Sequence, residues 1–189
     1  DCGTNSSDEI NFLEEKGIKT IIIDHHNVHK IKNYSNTIII NPKKKLKSKK
    51  FNSFCATVLV FFFIKYFNLN YIRKKINNRK YLFFSAIATI CDQMPLRDLN
   101  RDIVREGLNI FDANIFFNLK KIFNPKRKIS SSDIGYILGP ILNSSSRLGY
   151  PDLVMKLLIE NNREAINKIS EKLLNLNQRR KNLQFETFA

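Results

Sequence analysis

The sequence predicts an α/β fold, in which a parallel β-sheet is flanked by helices and followed by a long connecting helix. Three observations predict it. A helical pattern of apolar residues stops at Gly17, and a β-branched, almost uninterrupted apolar segment follows at 18–23. A helix that leads closely into a buried strand is half of a βαβ unit. Finally, 189 residues with 43% hydrophobic side chains can bury a core, which excludes a disordered chain.

The first elements follow from the order of their signals. Two serines and then two acidic residues predict a capped helix over about 6–16, which Gly17 ends. The segment 18–23 predicts a strand buried in a parallel sheet, and 37–40 predicts a second strand that Asn41-Pro42 ends. The strand that precedes this helix in a βαβ unit would lie upstream of the first residue.

The middle of the chain predicts three more elements. Residues 51–67 are largely apolar and predict a helix buried on most faces. Residues 81–91 predict a second buried element, which ends before Pro95. Residues 100–111 alternate apolar and charged side chains at helical spacing, which predicts an amphipathic helix with one face on the core.

The last third of the chain predicts further helices. One of the serines at 130–132 can cap a short helix through Leu138, and Pro151 stands where a first helical position is expected. From Asn162 a narrow apolar stripe predicts one long helix nearly to the end. We therefore expect an α/β domain over 1–160, lacking its N-terminal part, and a connecting helix over 161–189 that leads to a further domain.

The charge balance indicates an anionic partner. Lys and Arg number 32 against 17 Asp and Glu, so the formal net charge is +15 and the pI is about 9.8. Such an excess favours nucleic acid, anionic lipid or a phosphorylated substrate. Six of the lysines lie in the run 43–50, which is either an ordinary solvated loop or a surface that follows a nucleic-acid strand.

Cysteine usage and hydropathy indicate the compartment. Cys2, Cys55 and Cys91 are an odd number at wide spacing, which favours a reducing environment, and we expect a cytoplasmic protein. The longest largely apolar run, 54–64, has 11 residues. A membrane-spanning helix needs about 20, so we expect no membrane partner.

The three histidines of the chain all fall within five positions, directly after the first predicted strand. Ligands in open α/β sheets gather at the carboxyl ends of strands. Asp24, His25 and His26 therefore suggest a divalent metal of the Mn or Zn kind. Further ligands must come from elsewhere. Asp92, which closes the apolar segment before it, and Asp1, which would end the expected upstream strand, are the candidates, although either could simply be a turn or capping residue.

Taken in order, these motifs resemble the DHH phosphoesterase superfamily, and within it the RecJ single-stranded-DNA exonucleases. The superfamily likeness rests on Asp1-Cys2-Gly3, on 17–26 with its Asp24-His25-His26 triplet, and on Asn41-Pro42-Lys43. The likeness to the RecJ group rests on 88–96, 100–108, 139–149 and the closing helix with Leu174, Asn175, Asn177 and Arg179. The resemblance covers nearly the whole chain.

The resemblance implies a site with two divalent ions, Mn or Mg. It implies that the carboxylate of Asp1 bridges the two ions, and that His25 and Asp92 are ligands of one of them. Hard oxygen donors combined with one or two imidazoles suit Mn or Mg better than metals that prefer thiolates. Cys2 is accordingly expected to be a packing residue and not a ligand.

The resemblance also implies roles beside the ions. His26 would meet a phosphoryl oxygen of the substrate, and Asp24 would orient the histidines without binding metal itself. Asn143 and Arg147 would hold the phosphates of the bound strand, for which the planar guanidinium of Arg147 is well shaped.

The activity that the resemblance implies is hydrolysis of single-stranded DNA from the 5′ end towards the 3′ end, in recombination and repair. Two alternatives stay open: an oligoribonuclease or small-nucleotide phosphatase of the same superfamily, and a non-catalytic relative that binds nucleic acid. The superfamily's first motif, an Asp-rich strand end, has no counterpart here. We therefore expect these 189 residues by themselves to be inactive or nearly so.

Overall fold

The computed structural model describes residues 1–30, 32–44, 53–73, 79–112, 116–123 and 127–188. The chain divides into two compact units, Asp1–Gly107 and Leu108–Ala189. The first unit contains helix α1 (Ser7–Glu15), strands β1 (Thr20–Ile23) and β2 (Thr37–Ile40), helices α2 (Ala56–Phe67) and α3 (Arg79–Cys91), and most of α4 (Asp98–Asn109). The second contains α5 (Ser131–Asp133), α6 (Gly139–Arg147), α7 (Leu153–Ile159) and α8 (Arg163–Phe188).

Helix α1 ends as predicted at a glycine. Gly17 adopts a left-handed conformation with φ 66°, and its N–H donates to the carbonyl of Glu14. The N–H of Ile18 donates to the carbonyl of Leu13, which completes a Schellman motif and turns the chain towards β1. The start differs from the prediction, because the side chain of Ser6 makes no capping hydrogen bond.

Strands β1 and β2 pair in parallel, with Thr20 opposite Thr37 and Ile23 opposite Ile40. The parallel pairing confirms the predicted sheet. The expectation that both strands are buried is wrong for one face, since Ile21 and Ile38, which are register partners, are 56% and 61% exposed. Side chains alternate between the two faces of a strand, and within the described residues this face lies open.

The carboxylate of Glu14, in the last turn of α1, fixes the entry to β2. It accepts hydrogen bonds from the backbone N–H groups of Ser35 and Asn36 and from the hydroxyl of Thr37. Burial opposes ionisation of Glu14, but these three donors together outweigh it and lower the pKa of the carboxyl. The loop between the two strands is thereby tied to the helix before them.

Helices α2, α3 and α4 supply the core of the first unit. Phe54, Cys55, Val58 and Ile103 form one buried cluster. Residues 51 and 52, where the sequence predicted that α2 begins, lie outside the described residues, and the observed helix begins at Ala56. The expected burial of α2 on most faces is wrong, because only its first turn, Ala56 and Val58, is buried.

The second unit is built on α8. Ser130 and Asp133 form a reciprocal capping box, which confirms the predicted serine cap, and the helix continues through a π-helical turn (Ile134–Leu138) into α6. Pro151 lies in a turn, two residues before α7 begins, and so is not the first helical residue. The stripe predicted for the last helix is present, with Ile166, Leu173 and Leu176 buried against α6 and α7.

Among the described residues, no helix is both long enough and apolar enough to cross a membrane.

Candidate metal centre

The first three residues lie beside the carboxyl end of β1. The backbone nitrogen of Asp1 donates to the carbonyl of Ile23 at 3.1 Å. Gly3 has φ 110°, a conformation that other residues rarely adopt, and a Cβ built there would lie 3.3 Å from the side chain of Ile22. Glycine therefore allows the N-terminal segment to pass closely over the strand, so that the Asp1 side chain reaches the residues that follow β1.

Three side chains converge at this point. The Oδ1 of Asp1 lies 3.0 Å from Nε2 of His25, and the ring centroids of His25 and His26 are 4.6 Å apart. One potential ligand atom from each of Asp1, His25 and His26 lies within 4.8 Å of the other two. His25 is buried, whereas His26 and Asp1 are exposed, so the group opens to solvent on one side. A carboxylate and two imidazoles at this spacing can hold a divalent ion.

Asp24 is the buried hub behind this group. Its Oδ1 accepts hydrogen bonds from the backbone N–H groups of His25 (2.7 Å) and His26 (3.1 Å) and lies 2.8 Å from Nδ1 of His26. Its Oδ2 accepts from the N–H of Thr4 at 2.9 Å. Burial by itself would raise the pKa of Asp24, but the hydrogen bonds from Thr4 and His26 outweigh it and hold the pKa far below its usual range.

The hydrogen bond with Asp24 determines which ring nitrogen of His26 is left to bind a metal ion or the substrate. With Nδ1 donating to an ionised Asp24, the lone pair of Nε2 is left for a metal ion or a donor on the substrate. Asp24 itself is 2% exposed and has its oxygens occupied by protein donors. Asp24 therefore lies behind the two histidines, and that it orients them without binding metal stays a prediction.

Sequence reasoning missed the contribution of Thr4 and Asn41. The buried amide of Asn41 donates to the hydroxyl of Thr4 and to the carbonyl of His26, and its oxygen accepts from the N–H of Lys43. Asn41 thus joins the N-terminal segment, the loop after β1 and the loop after β2. An amide residue directly after a strand is the available signal, but the sequence pattern marks Asn41 only as the end of β2 and as part of the Asn41-Pro42-Lys43 motif, and it predicts no contact for the side chain.

Asp92 follows α3 and is exposed. It does not join the three-residue group, yet its charge acts on both His25 and Cys91. Burial lowers the pKa of His25, and the neighbouring His26 and Lys43 lower it further, while Asp92 and Asp24 act in the opposite direction. The net shift favours neutral imidazole, which is the form that binds metal. That Asp1, His25 and Asp92 are metal ligands stays a prediction.

The residues predicted to hold phosphates lie in the second unit. Asn143 and Arg147 are both exposed on α6, where they are four positions apart and so lie on one side of the helix. Of the serines between them, Ser144 and Ser145 are buried and Ser146 is exposed, and Ser144 Oγ donates to the carbonyl of Ile141. Of the lysine run 43–50, only Lys43 and Lys44 are among the described residues, so the rest of that prediction lies outside them.

Residues 1–89 match the model of the DHH family, N-terminal domain, which confirms the predicted resemblance. The curated relatives include the single-stranded-DNA-specific exonuclease RecJ of Haemophilus influenzae, 28% identical over 97% of this chain and 34% of the relative. The RecJ of Thermus thermophilus is 26% identical over 97% of this chain and 27% of the relative. The chain therefore spans about one third of the length of these relatives.

Solved structures agree on the fold. A crystal structure of exonuclease RecJ bound to manganese matches with a TM-score of 0.78 at 23% identity, covering 99% of this chain and 47% of that one. RecJ from Thermus thermophilus in complex with Mn²⁺ matches with a TM-score of 0.76 at 24% identity, covering 99% of this chain and 28% of that one. These likenesses confirm the α/β fold class predicted from the sequence.

Proposed function

We propose that this chain, with its DHH-family N-terminal domain in residues 1–89, hydrolyses phosphodiester bonds of single-stranded DNA with the help of divalent ions. The observation that supports this most is the group formed by Asp1, His25 and His26, backed by the buried carboxylate of Asp24. Relatives that carry the name of single-stranded-DNA-specific exonuclease cover nearly all of this chain, which supports the substrate class.

The donor set fits Mn or Mg. One carboxylate and two imidazoles are oxygen and nitrogen donors, and their ligand atoms lie within 4.8 Å of one another. Asp1, His25 and His26 would hold such an ion, and Asp92 would add a further carboxylate. When bound, a pair of such ions lowers the pKa of water and stabilises the charge that develops on the phosphoryl oxygens. Solved relatives in complex with Mn²⁺ and Mg²⁺ support this choice.

The residues of the chain itself orient the reacting groups. Asp24 keeps the proton of His26 on Nδ1, so that Nε2 faces outward for a metal ion or a phosphoryl oxygen. Asn41 and Thr4 keep the loops around the histidines from moving apart. In the second unit, Arg147 offers two parallel N–H donors and Asn143 an amide, and both would bind the phosphates of the strand.

Finer parts of the proposal rest on the resemblance. We propose attack from the 5′ end, a role in recombination and repair, and an α/β catalytic domain over 1–160 that α8 connects to a further domain. We also propose a cytoplasmic location, which the free thiols of Cys2, Cys55 and Cys91 support.

The test is substitution of the proposed ligands in the full-length protein. His25→Ala and Asp92→Ala should each reduce Mn-dependent hydrolysis of a labelled single strand by more than about 100-fold, since loss of a ligand costs more than loss of an orienting partner. Binding of the strand, measured by fluorescence anisotropy in EDTA, should stay within about twofold of wild type. His29→Ala and Asp8→Ala, both at exposed positions of the same unit, are the matched controls.

Two results would contradict the proposal. Wild-type rates in His25→Ala and Asp92→Ala would remove both residues from the site. A preference for dinucleotides over long single strands would instead favour an oligoribonuclease or small-nucleotide phosphatase, and binding without any hydrolysis in Mn or Mg would favour a non-catalytic relative.

A further inference from the structure

The positive charge of the chain is concentrated in one segment. Residues 25–91 contain 14 of the 32 Lys and Arg and none of the 17 Asp and Glu. The rest of the chain is therefore nearly balanced, with 18 basic against 17 acidic residues, and this acid-free segment carries almost the whole net charge of +15. A stretch without any carboxylate offers a polyanion attraction without local repulsion.

Cations of the acid-free segment remain available to an external anion. The ion pairs of Arg105, Lys121, Arg127 and Lys168 all join residues from Asp102 onwards. Lys65 on α2, Arg73 shortly after that helix and Lys80 on α3 are all exposed. No carboxylate among the described residues forms an ion pair with these three side chains.

Exposed aromatic side chains lie between Lys65 and Arg73 along the chain. Helix α2 continues in a π-helical turn (Asn68–Ile72), and Tyr66, Phe67 and Tyr71 are 61%, 43% and 67% exposed. These three residues are called the aromatic ledge below. The ring of Phe67 stacks on that of Phe63 with centroids 6.1 Å apart, and the ring of Tyr71 lies 5.0 Å from Phe67. The ring of Tyr71 therefore packs against Phe67 on one side, while most of the Tyr71 side chain is exposed to solvent.

We propose that the aromatic ledge binds single-stranded nucleic acid, with bases stacked on Tyr66 and Tyr71 and phosphates neutralised by Lys65, Arg73 and Lys80. Rings for stacking combined with a positive surface are how proteins hold single strands without reading their sequence. The ring of Tyr71, which already packs against Phe67, loses little conformational entropy when a base stacks on it. The inference rests on the proposed function, because it gives the same substrate a second contact on residues that take no part in hydrolysis.

The chemistry favours a single strand over an acidic peptide. An anionic membrane would also contact the exposed Leu69 and Ile72 near the ledge, and the comparison with vesicles below distinguishes it from a strand. An acidic peptide could pair its carboxylates with the cations, but those carboxylates would not stack on the rings. Bases and phosphates alternate along a strand and use both features.

The experiment measures the Kd of the full-length protein for a labelled oligothymidylate of about 30 nucleotides, by fluorescence anisotropy in EDTA and over a range of salt. Tyr66→Ala with Tyr71→Ala should raise the Kd by roughly tenfold for each stack lost. Tyr66→Phe with Tyr71→Phe keeps the rings and should bind as wild type. Tyr136→Ala, at a tyrosine that is 85% exposed in the second unit, is the control for a surface tyrosine.

A second variant tests the charges. Lys65→Gln, Arg73→Asn and Lys80→Gln together should reduce the slope of log Kd against log salt by about 2, because each phosphate contact on a single strand contributes about 0.7. Asparagine is chosen at Arg73 because this residue has φ 55°, which asparagine tolerates. Lys156→Gln, at an exposed lysine of α7, is the matched control and should leave the slope unchanged.

The outcomes separate this inference from the proposed function. An unchanged Kd in the double alanine variant, or an unchanged salt slope in the charge variant, would overturn the proposal that the aromatic ledge binds single-stranded nucleic acid. Stronger binding to phosphatidylserine vesicles or to polyglutamate than to the oligonucleotide would also overturn it. Hydrolysis of a trinucleotide should be the same in the ledge variants as in wild type, so a failure of the proposed function would appear there and not in the Kd.

Discussion

Replacing Asp24 by Asn tests whether the buried hub organises the candidate metal centre. The two side chains have the same shape, but Asn has one acceptor oxygen and an NH₂ group in place of the second. In the native chain the N–H of Thr4 donates to Oδ2 at 2.9 Å, and Oδ1 accepts from His25 and His26. If the amide oxygen takes the place of Oδ1, the NH₂ group faces the N–H of Thr4. A buried donor is then left facing another donor.

The size of the effect follows from these contacts. Losing a hydrogen bond to a charged group and leaving a donor unsatisfied together cost about 3 kcal/mol of unfolding free energy. For a unit of this size that corresponds to a fall in Tm of roughly 10 °C. Because His26 loses the partner that orients its ring, we also expect the affinity for Mn²⁺ to fall by about 10- to 100-fold.

Urea unfolding followed by circular dichroism in EDTA measures the first effect, and calorimetric titration with Mn²⁺ measures the second. Asp8→Asn, in the exposed first turn of α1, is the control and should cost less than about 1 kcal/mol. A variant of Asp24 with the stability and Mn²⁺ affinity of wild type would refute the reasoning that this carboxylate organises the site.

Two further predictions concern each unit separately. Asp133 accepts hydrogen bonds from the hydroxyl and N–H of Ser130 and from Arg127, which lower the pKa of its carboxyl. The ionised carboxyl therefore stabilises the folded state fully above the unfolded pKa of about 3.9, and this stabilisation is lost as the pH falls towards the lower folded pKa. Because Asp133→Asn lacks this group, its Tm should depend less on pH below about 4 than the Tm of wild type. Parallel curves of Tm against pH in a thermal-shift assay would argue against this. In the first unit, a Cβ at Gly107 would lie 2.5 Å from the Cβ of Ala86 and 2.8 Å from the carbonyl oxygen of Leu82. Gly107→Ala should therefore lower the free energy of unfolding, measured in urea, by about 1–3 kcal/mol or more. A variant as stable as wild type would show that α3 and α4 can separate at no cost.

The helices and strands could largely be predicted because their signals are local. Gly17 ends α1 through hydrogen bonds to residues three and five positions before the donors, and Ser130 caps its helix through a residue three positions later. The two β-branched segments form strands for the same reason, since each predicts a strand by its own composition. The triplet of Asp24, His25 and His26 stood out because it directly follows one of these strands.

Burial was the weaker part of the prediction. An apolar run predicts that a segment avoids water, but whether it does depends on what lies against it. Ile21, Ile38 and the side of α2 that carries Val60 and Phe62 are more exposed than their composition suggests, because none of the described residues covers them fully. Hydrophobic periodicity shows which face of a helix is apolar, but it does not show whether another element packs against that face.

Local patterns along the chain predict most of the helices and strands and the residues that follow β1. Long-range packing brings Asp1 within 3.0 Å of His25, lets Thr4 donate to Asp24, and lets Asn41 join the loops around them. These contacts join residues from 15 to 37 positions apart. They depend on the parallel register of the strands and on the close passage of the chain at Gly3, neither of which a local pattern encodes.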